Sequence, residues 1–440
     1  MAVRFVNWSQ TVSACPLAWH EPRSEEEVVA LVRRADAAGR RVKAVGSGHS
    51  WSSIAVTAGE MICLRRMDRL LVLDRSAGRV TVEAGMRLGK LVQLLWCAGL
   101  APPILGSILE QQVGGAIATA THGSSLQHGN LSSLVMGVRL ITPAGEVLDL
   151  DERDERLQGA RVHLGALGVV TRVVLRVEPA FLLEEEVLPL PLPEAIERLG
   201  QLARSAEYVK LWWLPPSQDV ALFRYRRTEA PRSYRRWAHR LDEVVVNRLL
   251  FAGLLRLGAA VPVLVPPMNR AVVRAYFKRW RQVGAPHEVL PVAMPPRHRE
   301  MEYAVPLELG GEALRGLQVL IRQRGLRVNM PVEVRFVRGD DAWLSPDFGR
   351  PSCHLGVYMA ECSDLRAYFD GARALLRELG GRPHWGKELS ITAAEVDRLW
   401  PEAGRFRALA CALDPRGRMR NELLDAVLGP APEPTSAAMR

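Results

Sequence analysis

The stretch from Gly106 to Gly129 constrains the fold more than any other part of this sequence, because small residues dominate it. Glycine, alanine and threonine surround a few apolar positions, as in the run VGGAIATATHG. A backbone with so few bulky side chains cannot fill a core by itself. It suits close approach to something flat, since glycine and alanine leave the main chain uncovered.

A second glycine-bounded feature, Gly46-Ser47-Gly48-His49-Ser50, follows a predicted strand at Arg41–Val45. A helix that begins at a Ser24/Glu27 capping box and ends at Gly39 comes before that strand. The two glycines let the turn pass close to a ligand, and its backbone N–H groups can bind an anion such as a pyrophosphate. No helical pattern follows, which excludes a dinucleotide site of the Rossmann type. Alone, the motif also fits an ordinary turn with a surface histidine.

Further elements are predicted on both sides of the small-residue stretch. Alternating apolar patterns predict strands, and a helix is predicted around Leu88–Leu95. The strands are Met61–Leu64, Leu70–Leu73, Arg79–Ala84, Val135–Thr142, Gly145–Leu150 and Val169–Val177.

Length and charge narrow the class of protein. The 440 residues fit two substantial domains, and 48% hydrophobic residues can build a large core. The net charge is +10, but only five of the 58 basic residues are lysine, and the arginines are scattered among acidic residues. We therefore expect no nucleic-acid partner.

The cysteines and the N-terminus indicate a cytoplasmic protein. The six cysteines form no CxxC pair and no spacing typical of a metal site, so reduced thiols and no metal centre are expected. The first residues, MAVRFVNWSQ, contain no apolar run of signal-peptide length. The apolar segment from Leu249 to Pro266 is too short to span a bilayer. We expect it to be a buried helix, and a helix resting on a membrane surface stays open.

Four motifs in order resemble the FAD domain of the vanillyl-alcohol-oxidase superfamily: GSGHSWSSIA, VTVEAGMRLGKL, GSILEQQVGGAIATATHG and RVHLGALGVVTRV. The resemblance is closest to the sugar-1,4-lactone oxidases, with the alditol oxidases next, and it runs from Asn7-Trp8 to about Leu428 through GRPHWGK and LDPRGRMRN. It implies an α+β fold in which a two-subdomain PCMH-type FAD-binding domain covers residues 1–178. A substrate (cap) domain, with an antiparallel sheet flanked by helices, would cover residues 179–378. Residues 379–440 would return to the flavin site and end in a tail that is disordered from about residue 430.

The resemblance also implies which residues hold FAD. His49 matches the histidine that the family joins covalently to the 8α-methyl carbon of the flavin, and a neutral imidazole can attack such a carbon. Gly106 stands where lactone dehydrogenases that avoid oxygen carry an alanine, which favours an oxidase; a simple turn glycine is the alternative. The implied cofactor-binding residues are Val45, Gly46, Ser47, Gly48, His49, Ser50, Gly106, Ser107, Gly114, Gly115, Ala118, Thr119, His122, Gly123, Gly168 and Val169.

Two more constellations bear on catalysis. On a strand, Glu333 and Arg335 share one face, which as a bare pattern favours an ion pair. Lys387 is one of only five lysines and follows a Trp-Gly pair. The resemblance implies that Glu333, Arg335 and Lys387 are catalytic and contact the substrate, with Ser107 and Ser352 as further substrate contacts.

The reaction implied is transfer of a hydride from an alcohol of a sugar-1,4-lactone to the flavin, with O₂ reduced to H₂O₂. Three alternatives stay open. One is an alditol or other sugar-alcohol oxidase, and another is a lactone dehydrogenase that uses a different acceptor. The third belongs to another class: a non-catalytic flavin-binding protein associated with a membrane through residues 249–266.

Overall fold

The computed structural model describes residues 3–292, 296–360 and 364–430, apart from the side chains of residues 238, 240, 242, 243, 247 and 248. Residues 431–440 of the expected tail lie outside the described residues. The described cysteines, Cys15, Cys63, Cys97, Cys353 and Cys411, are free thiols as expected, and Cys362 lies outside the described residues.

The first part of the chain mixes small sheets with short helices. The Oγ atom of Ser24 caps the first helix by accepting from the Glu27 N–H, and Gly39 follows with a φ of +68°. The helices are α1 (Glu25–Ala37), α2 (Leu88–Cys97), α3 (Val113–Ala118) and α4 (Arg156–Arg161), with a 3₁₀ turn at Leu131–Leu134. The strands are β1 (Phe5–Val6), β2 (Ser13–Ala14), β3 (Ala18–His20), β4 (Val42–Val45), β5 (Glu60–Cys63), β6 (Leu70–Asp74), β7 (Arg79–Glu83), β8 (Leu100–Ala101), β9 (Val135–Ile141), β10 (Val147–Asp151), β11 (Val169–Arg176) and β12 (Glu178–Pro179).

Two of the sheets that these strands form place the glycine-rich segments, while β1 with β2 and β8 with β12 make separate pairs. A parallel sheet in the order β3-β5-β4 ends at the Gly46–Ser50 turn, and a five-stranded antiparallel sheet has the order β10-β9-β11-β7-β6. Each strand predicted in this region is present, with ends within two residues of the prediction. Gly145 adopts a φ of +79° in the turn between β9 and β10, where an L-residue would be strained.

One eight-stranded antiparallel sheet dominates the second part, in the order β16-β13-β15-β14-β18-β19-β17-β20. The chain enters it after β12, and its last strand lies beyond residue 378, where the cap domain was predicted to end. The strands are β13 (Leu182–Pro191), β14 (Tyr208–Trp213), β15 (Asp219–Thr228), β16 (Trp280–Gly284), β17 (Arg299–Pro306), β18 (Val332–Val337), β19 (Ser352–Met359) and β20 (Arg382–Pro383).

The two faces of this sheet have different partners. Leu211, Val334 and Leu355 lie on one face and pack into a core with helices, which confirms the predicted helix-flanked sheet. Those helices are α5 (Leu192–Glu197), α6 (Leu199–Ala203), α11 (Gly310–Gln323) and α12 (Leu365–Glu378). Because side chains alternate along a strand, residues such as Lys210, Glu333 and Arg335 point to the opposite face.

The apolar segment after β15 is helical but not buried, so the expectation of a buried helix at Leu249–Pro266 is wrong. Leu249 and Val263 are 64% and 66% exposed. Gly253 and Pro262 lie where the segment divides into short pieces: α7 (Arg236–Leu241), a π-helix (Asp242–Phe251), α8 (Ala252–Ala260), a 3₁₀ turn (Pro262–Leu264), α9 (Val265–Tyr276) and, after β16, α10 (Pro286–Val289). Within the described ranges, no helix combines the length and apolar character needed to cross a membrane.

The C-terminal residues pack against the first part of the chain. Trp385, Trp400 and Phe406 are fully buried in the same core as Ile62 and Val80 of the N-terminal sheets. The helices of this segment are α13 (Ala393–Leu399), α14 (Ala403–Leu413) and α15 (Glu422–Leu428).

Candidate active site

Two cavities meet at the turn that follows β4. The larger has a volume of about 1310 Å³ and lies against the open face of the eight-stranded sheet. The smaller, of about 110 Å³, lies between this turn and α3. His49, Ser50, Gln111 and Thr119 line both cavities. A ligand that occupied both would therefore pass beside His49.

The smaller cavity is lined by most of the residues expected to hold FAD: Val45, Gly46, Ser47, Gly48, His49, Ser50, Gly114, Gly115, Ala118 and Thr119. A β-carbon added at Gly115 would meet no atom within 4 Å, so the bare main chain of α3 faces open space. Gly48 adopts a φ of +71°, which the tight turn requires. This cradle of glycine main chain fits a flat cofactor with a pyrophosphate.

The other expected cofactor residues are divided. Ser107 and His122 line the larger cavity. Gly106, Gly123, Gly168 and Val169 line neither cavity. A β-carbon at Gly123 or Gly168 would lie 2.4 Å from a backbone oxygen, so close packing of the main chain explains these two glycines.

His49 carries an unused ring nitrogen at the junction of the two cavities. Among the described residues, its Nδ1 atom is buried without a hydrogen-bond partner. Burial lowers the pKa of His49, although Glu110 partly opposes this, so the imidazole is neutral at pH 7. A buried nucleophilic nitrogen with no partner fits the expected bond to a flavin.

The register of the eight-stranded sheet assembles a polar face toward the larger cavity. Trp212, Glu333, Gly356 and Glu302 stand opposite one another on β14, β18, β19 and β17. A β-carbon at Gly356 would lie 2.9 Å from the Tyr358 ring, so the missing side chain makes room for that tyrosine. Two residues along the same pair of strands, Lys210 stands opposite Arg335.

Glu333 and Arg335 share this face, as the alternation predicted, and form an ion pair that lines the cavity. Glu333 also accepts from Trp212 Nε1 at 2.9 Å and from the Tyr358 hydroxyl at 2.8 Å. The Nη2 atom of Arg335 donates to Ser107 Oγ at 2.7 Å. Burial alone would raise the pKa of Glu333, but the positive charges of Arg335 and Lys210 and the donated hydrogen bonds lower it to about 2. The carboxylate is therefore held ionised.

Lys387 reaches the same cavity from the C-terminal segment. Its Nζ lies 2.5 Å from Glu300 Oε1 and 4.4 Å from the centre of the Trp51 ring. Glu300 is almost completely buried, which by itself raises its pKa, yet the Lys387 charge brings that pKa below its ordinary value. The ammonium therefore sits between a carboxylate and an aromatic face.

A buried network that the sequence did not reveal lies behind this polar face. Glu302 Oε1 is 2.9 Å from His122 Nε2 and 3.4 Å from His354 Nδ1. His354 Nε2 lies 2.7 Å from Asp347 Oδ1. Burial opposes a charge on His354, but the two carboxylates raise its pKa to about 9. The ligand atoms of His122, Glu302 and His354 lie within 4.8 Å of one another, as a metal site would need. His122 is already in ion-pair contact with Glu302, and His354 with Asp347, and we assign no metal.

The structure does not bring Ser352 to this group. It is fully buried at the start of β19, lines neither cavity, and its Oγ lies 3.5 Å from the Arg350 carbonyl oxygen. Conversely, sequence reasoning missed Lys210, Trp212 and Tyr358. A signal existed for Lys210, because lysine is scarce and the YVKLWW strand alternates, but nothing local places these residues beside Glu333.

Known proteins share both halves of this arrangement. Residues 173–427 match the D-arabinono-1,4-lactone oxidase family, and residues 16–151 match a family described as an FAD binding domain. L-Gulono-1,4-lactone dehydrogenase from Mycobacterium tuberculosis is 36% identical over 96% of this chain and 99% of its own length. L-Gulonolactone oxidase from Bos taurus is 34% identical over 97% and 98%. A solvent-stable cholesterol oxidase superposes with a TM-score of 0.84 over 97% of both chains; at 18% identity this shows the fold alone.

Proposed function

Because this chain belongs to the sugar-1,4-lactone oxidase family and is an FAD-dependent oxidoreductase, we propose that it oxidises an alcohol group of a sugar-1,4-lactone with O₂ as the acceptor, giving H₂O₂. One observation carries the proposal. Glu333, Arg335 and Lys387 line the same cavity as His49, so a substrate can contact all of them next to the cofactor. When bound, FAD supplies the hydride acceptor of the oxidation.

The two cations act on the reacting hydroxyl. Arg335 and Lys387 hydrogen-bond the substrate oxygen and stabilise the negative charge that develops on it as its proton passes to a water molecule in the cavity, whose lining includes the exposed Leu249. Glu333 already accepts three hydrogen bonds, and a pKa of about 2 makes it a weak base. We therefore assign Glu333 to holding Arg335 and a second substrate hydroxyl, and not to removing the proton.

His49 is the residue through which we propose that FAD is covalently attached. The support is its partnerless Nδ1 atom and its neutral imidazole at the meeting point of the cavities. Precipitation of the protein in acid tests this, because only a covalently held flavin stays yellow in the pellet. A His49→Ala variant should give a colourless pellet, and a colourless pellet from the unaltered protein would contradict the bond.

The choice of O₂ as acceptor rests on Gly106. A β-carbon there would lie 2.9 Å from Thr121 Cγ2, and Thr121 lines the larger cavity. Because Gly106 has no methyl group, Thr121 does not have to shift. We propose that the cavity wall at Thr121 therefore leaves room for a small molecule such as O₂. A lactone dehydrogenase among the relatives makes a different acceptor the second candidate.

The decisive experiment separates substrate from acceptor. The FAD-loaded protein is mixed without oxygen with a panel of L-gulono- and D-arabinono-1,4-lactones and of alditols such as xylitol, while the flavin absorbance is followed. Bleaching by a lactone supports the proposal, and bleaching by alditols alone would move the protein to the alditol oxidases. Oxygen is then admitted, and H₂O₂ formation distinguishes an oxidase from a dehydrogenase. If no compound bleaches the flavin, the proposed substrate class is wrong.

We also propose that residues 249–266 contact a membrane surface peripherally. The support is the exposure of Leu249, Leu250, Val261 and Val263 on this segment. Co-sedimentation with vesicles tests it, and Leu249→Ser/Leu250→Ser should reduce binding. The cytoplasmic location stays a prediction from cysteine use.

A further inference from the structure

The larger cavity exceeds what a sugar lactone needs. Its volume is about 1310 Å³, whereas pockets for drug-sized ligands measure roughly 300–1,000 Å³. A sugar-1,4-lactone is smaller than such ligands. The space beside His49 serves the cofactor, but much of the lining lies on other elements, far along the chain from that turn.

The two ends of this cavity differ in character. At the buried end, Glu300, Glu302, Glu333 and Arg335 supply charged groups. The other end is formed by the helical segment after β15 and by the residues that follow it, and apolar side chains predominate there, although Arg235, Arg281 and Glu288 also line the cavity. Its lining includes Val246, Leu249, Leu250, Leu254, Val272 and Phe277.

The apolar end opens at an apolar surface. Leu249, Leu250 and Leu257 line the cavity and are also 64%, 55% and 45% exposed. Val261 and Val263 continue the exposed apolar surface without lining the cavity. Exposed apolar surface on this scale marks a place where an apolar partner binds or passes.

We propose that the substrate is a sugar carbinol that bears a long alkyl or isoprenoid chain, with the sugar among the carboxylates and the chain along the helical segment. This inference rests on the proposed function and names its substrate class. It explains the volume, the polarity of each end and the apolar entrance together. An unsubstituted lactone would leave the apolar end in contact with water.

The carboxylates identify the polar end of the occupant as a polyhydroxylated head and not a quinone. The pKa values of Glu300 and Glu333 are below their ordinary values, so both groups are ionised and only accept hydrogen bonds. Sugar hydroxyls donate such bonds and also accept from Arg335 and Lys387, whereas the carbonyl oxygens of a quinone can only accept from these cations and would leave the carboxylates without a donor.

The test uses the full-length, FAD-loaded protein and three probes that share one head: methyl, octyl and dodecyl ethers at O6 of L-gulono-1,4-lactone. Anaerobic stopped-flow absorbance measures flavin reduction at increasing probe concentration, below the concentration at which each probe forms micelles. Complete burial of one methylene improves affinity by roughly fourfold. Even twofold for each of seven added methylenes would lower the half-saturating concentration by about 100-fold from methyl to octyl.

A matched pair of variants tests where the alkyl chain of the probe binds. Val272→Trp places bulk in the apolar lining, whereas Val263→Trp places the same bulk on the exposed surface outside the cavity. The octyl-to-methyl ratio of affinities should collapse in Val272→Trp and persist in Val263→Trp. Equal octyl-to-methyl affinity ratios in both variants would show that the alkyl chain does not bind in the apolar end of the cavity.

The outcomes separate the inference from the proposed function. If the methyl ether reduces the flavin as well as the octyl ether does, the lactone reaction stands and the inference is wrong. If the alkyl chain of the probes has no effect on flavin reduction, but the isoprenoid chain of a quinone speeds reoxidation of the reduced flavin, the apolar end of the cavity binds the acceptor. The inference is then also wrong. If no probe reduces the flavin, the proposed function fails, and titration of the flavin spectrum still shows whether binding depends on the chain.

Discussion

Replacing Glu333 with glutamine removes a buried negative charge and preserves the shape of the side chain. In the structure this carboxylate pairs with Arg335, which is itself mostly buried. Glutamine can still accept from Trp212, but it leaves Arg335 without its counter-charge. We expect the variant to be less stable at neutral pH because an unpaired guanidinium in this position is poorly solvated.

The magnitude follows from the pKa of Glu333. The ordinary value of 4.5 falls to about 2 in the folded protein. Each pH unit of difference corresponds to about 1.4 kcal/mol, so the ionised carboxylate contributes about 3 kcal/mol at pH 7. Because the folded-state pKa is lowered, the contribution is present above pH 4.5 and is lost as the pH falls toward 2. At pH 3 it should be smaller by about 2 kcal/mol.

Urea unfolding, followed by tryptophan fluorescence, measures this contribution. Glu333→Gln should lower the free energy of unfolding by about 3 kcal/mol at pH 7 and by much less at pH 3. Glu197→Gln, on the exposed side of α5, is the matched control and should change little. A variant as stable as the unaltered protein at pH 7, or a difference that does not shrink at pH 3, would refute the reasoning.

Three further predictions concern the cofactor, the reaction and pH. Lys387→Ala should slow flavin bleaching by substrate about 10²–10³-fold while FAD stays bound. Lys278 is exposed, and Lys278→Ala should not change the rate. Normal bleaching in Lys387→Ala would show that Lys387 takes no part in the reaction. Gly115→Ala should stabilise the FAD-free protein by up to about 1 kcal/mol, measured by thermal unfolding. It should weaken FAD binding in a titration, because the added methyl group enters the cofactor cavity. Gly404→Ala in α14 should leave FAD binding unchanged. His354, with a pKa of about 9, should contribute stability below pH 6.5 that is lost as the pH rises through 9; His354→Gln should flatten that part of the stability profile.

Local pattern predicted much of the N-terminal fold. The capped helix α1 and the strands β6, β7, β9 and β11 each depend on residues close in sequence. The same logic placed Glu333 and Arg335 on one face, because alternation is a property of the strand itself. Predictions of this kind succeed when the evidence lies within one element.

The rest of the site depends on pairing that no single element encodes. Trp212 and Tyr358 meet Glu333 only because β14 and β19 flank β18 in a particular register. The failed expectation for Leu249–Pro266 has a related cause. Hydropathy shows that a helix has apolar side chains, but it does not show whether protein, ligand or solvent will face them.

The inner strands of the eight-stranded sheet carry site residues on one face and core residues on the other, so the site and the hydrophobic core depend on the same strand register. Shifting β18 by one residue would turn Glu333 into the packed layer beneath and expose Val334 in its place. Evolution can therefore rarely alter the inner strands without unfolding this half of the molecule. Variation in what the enzyme recognises should instead accumulate on the outer strands β13, β15 and β16 and on the helices beside them, while the chemistry stays fixed.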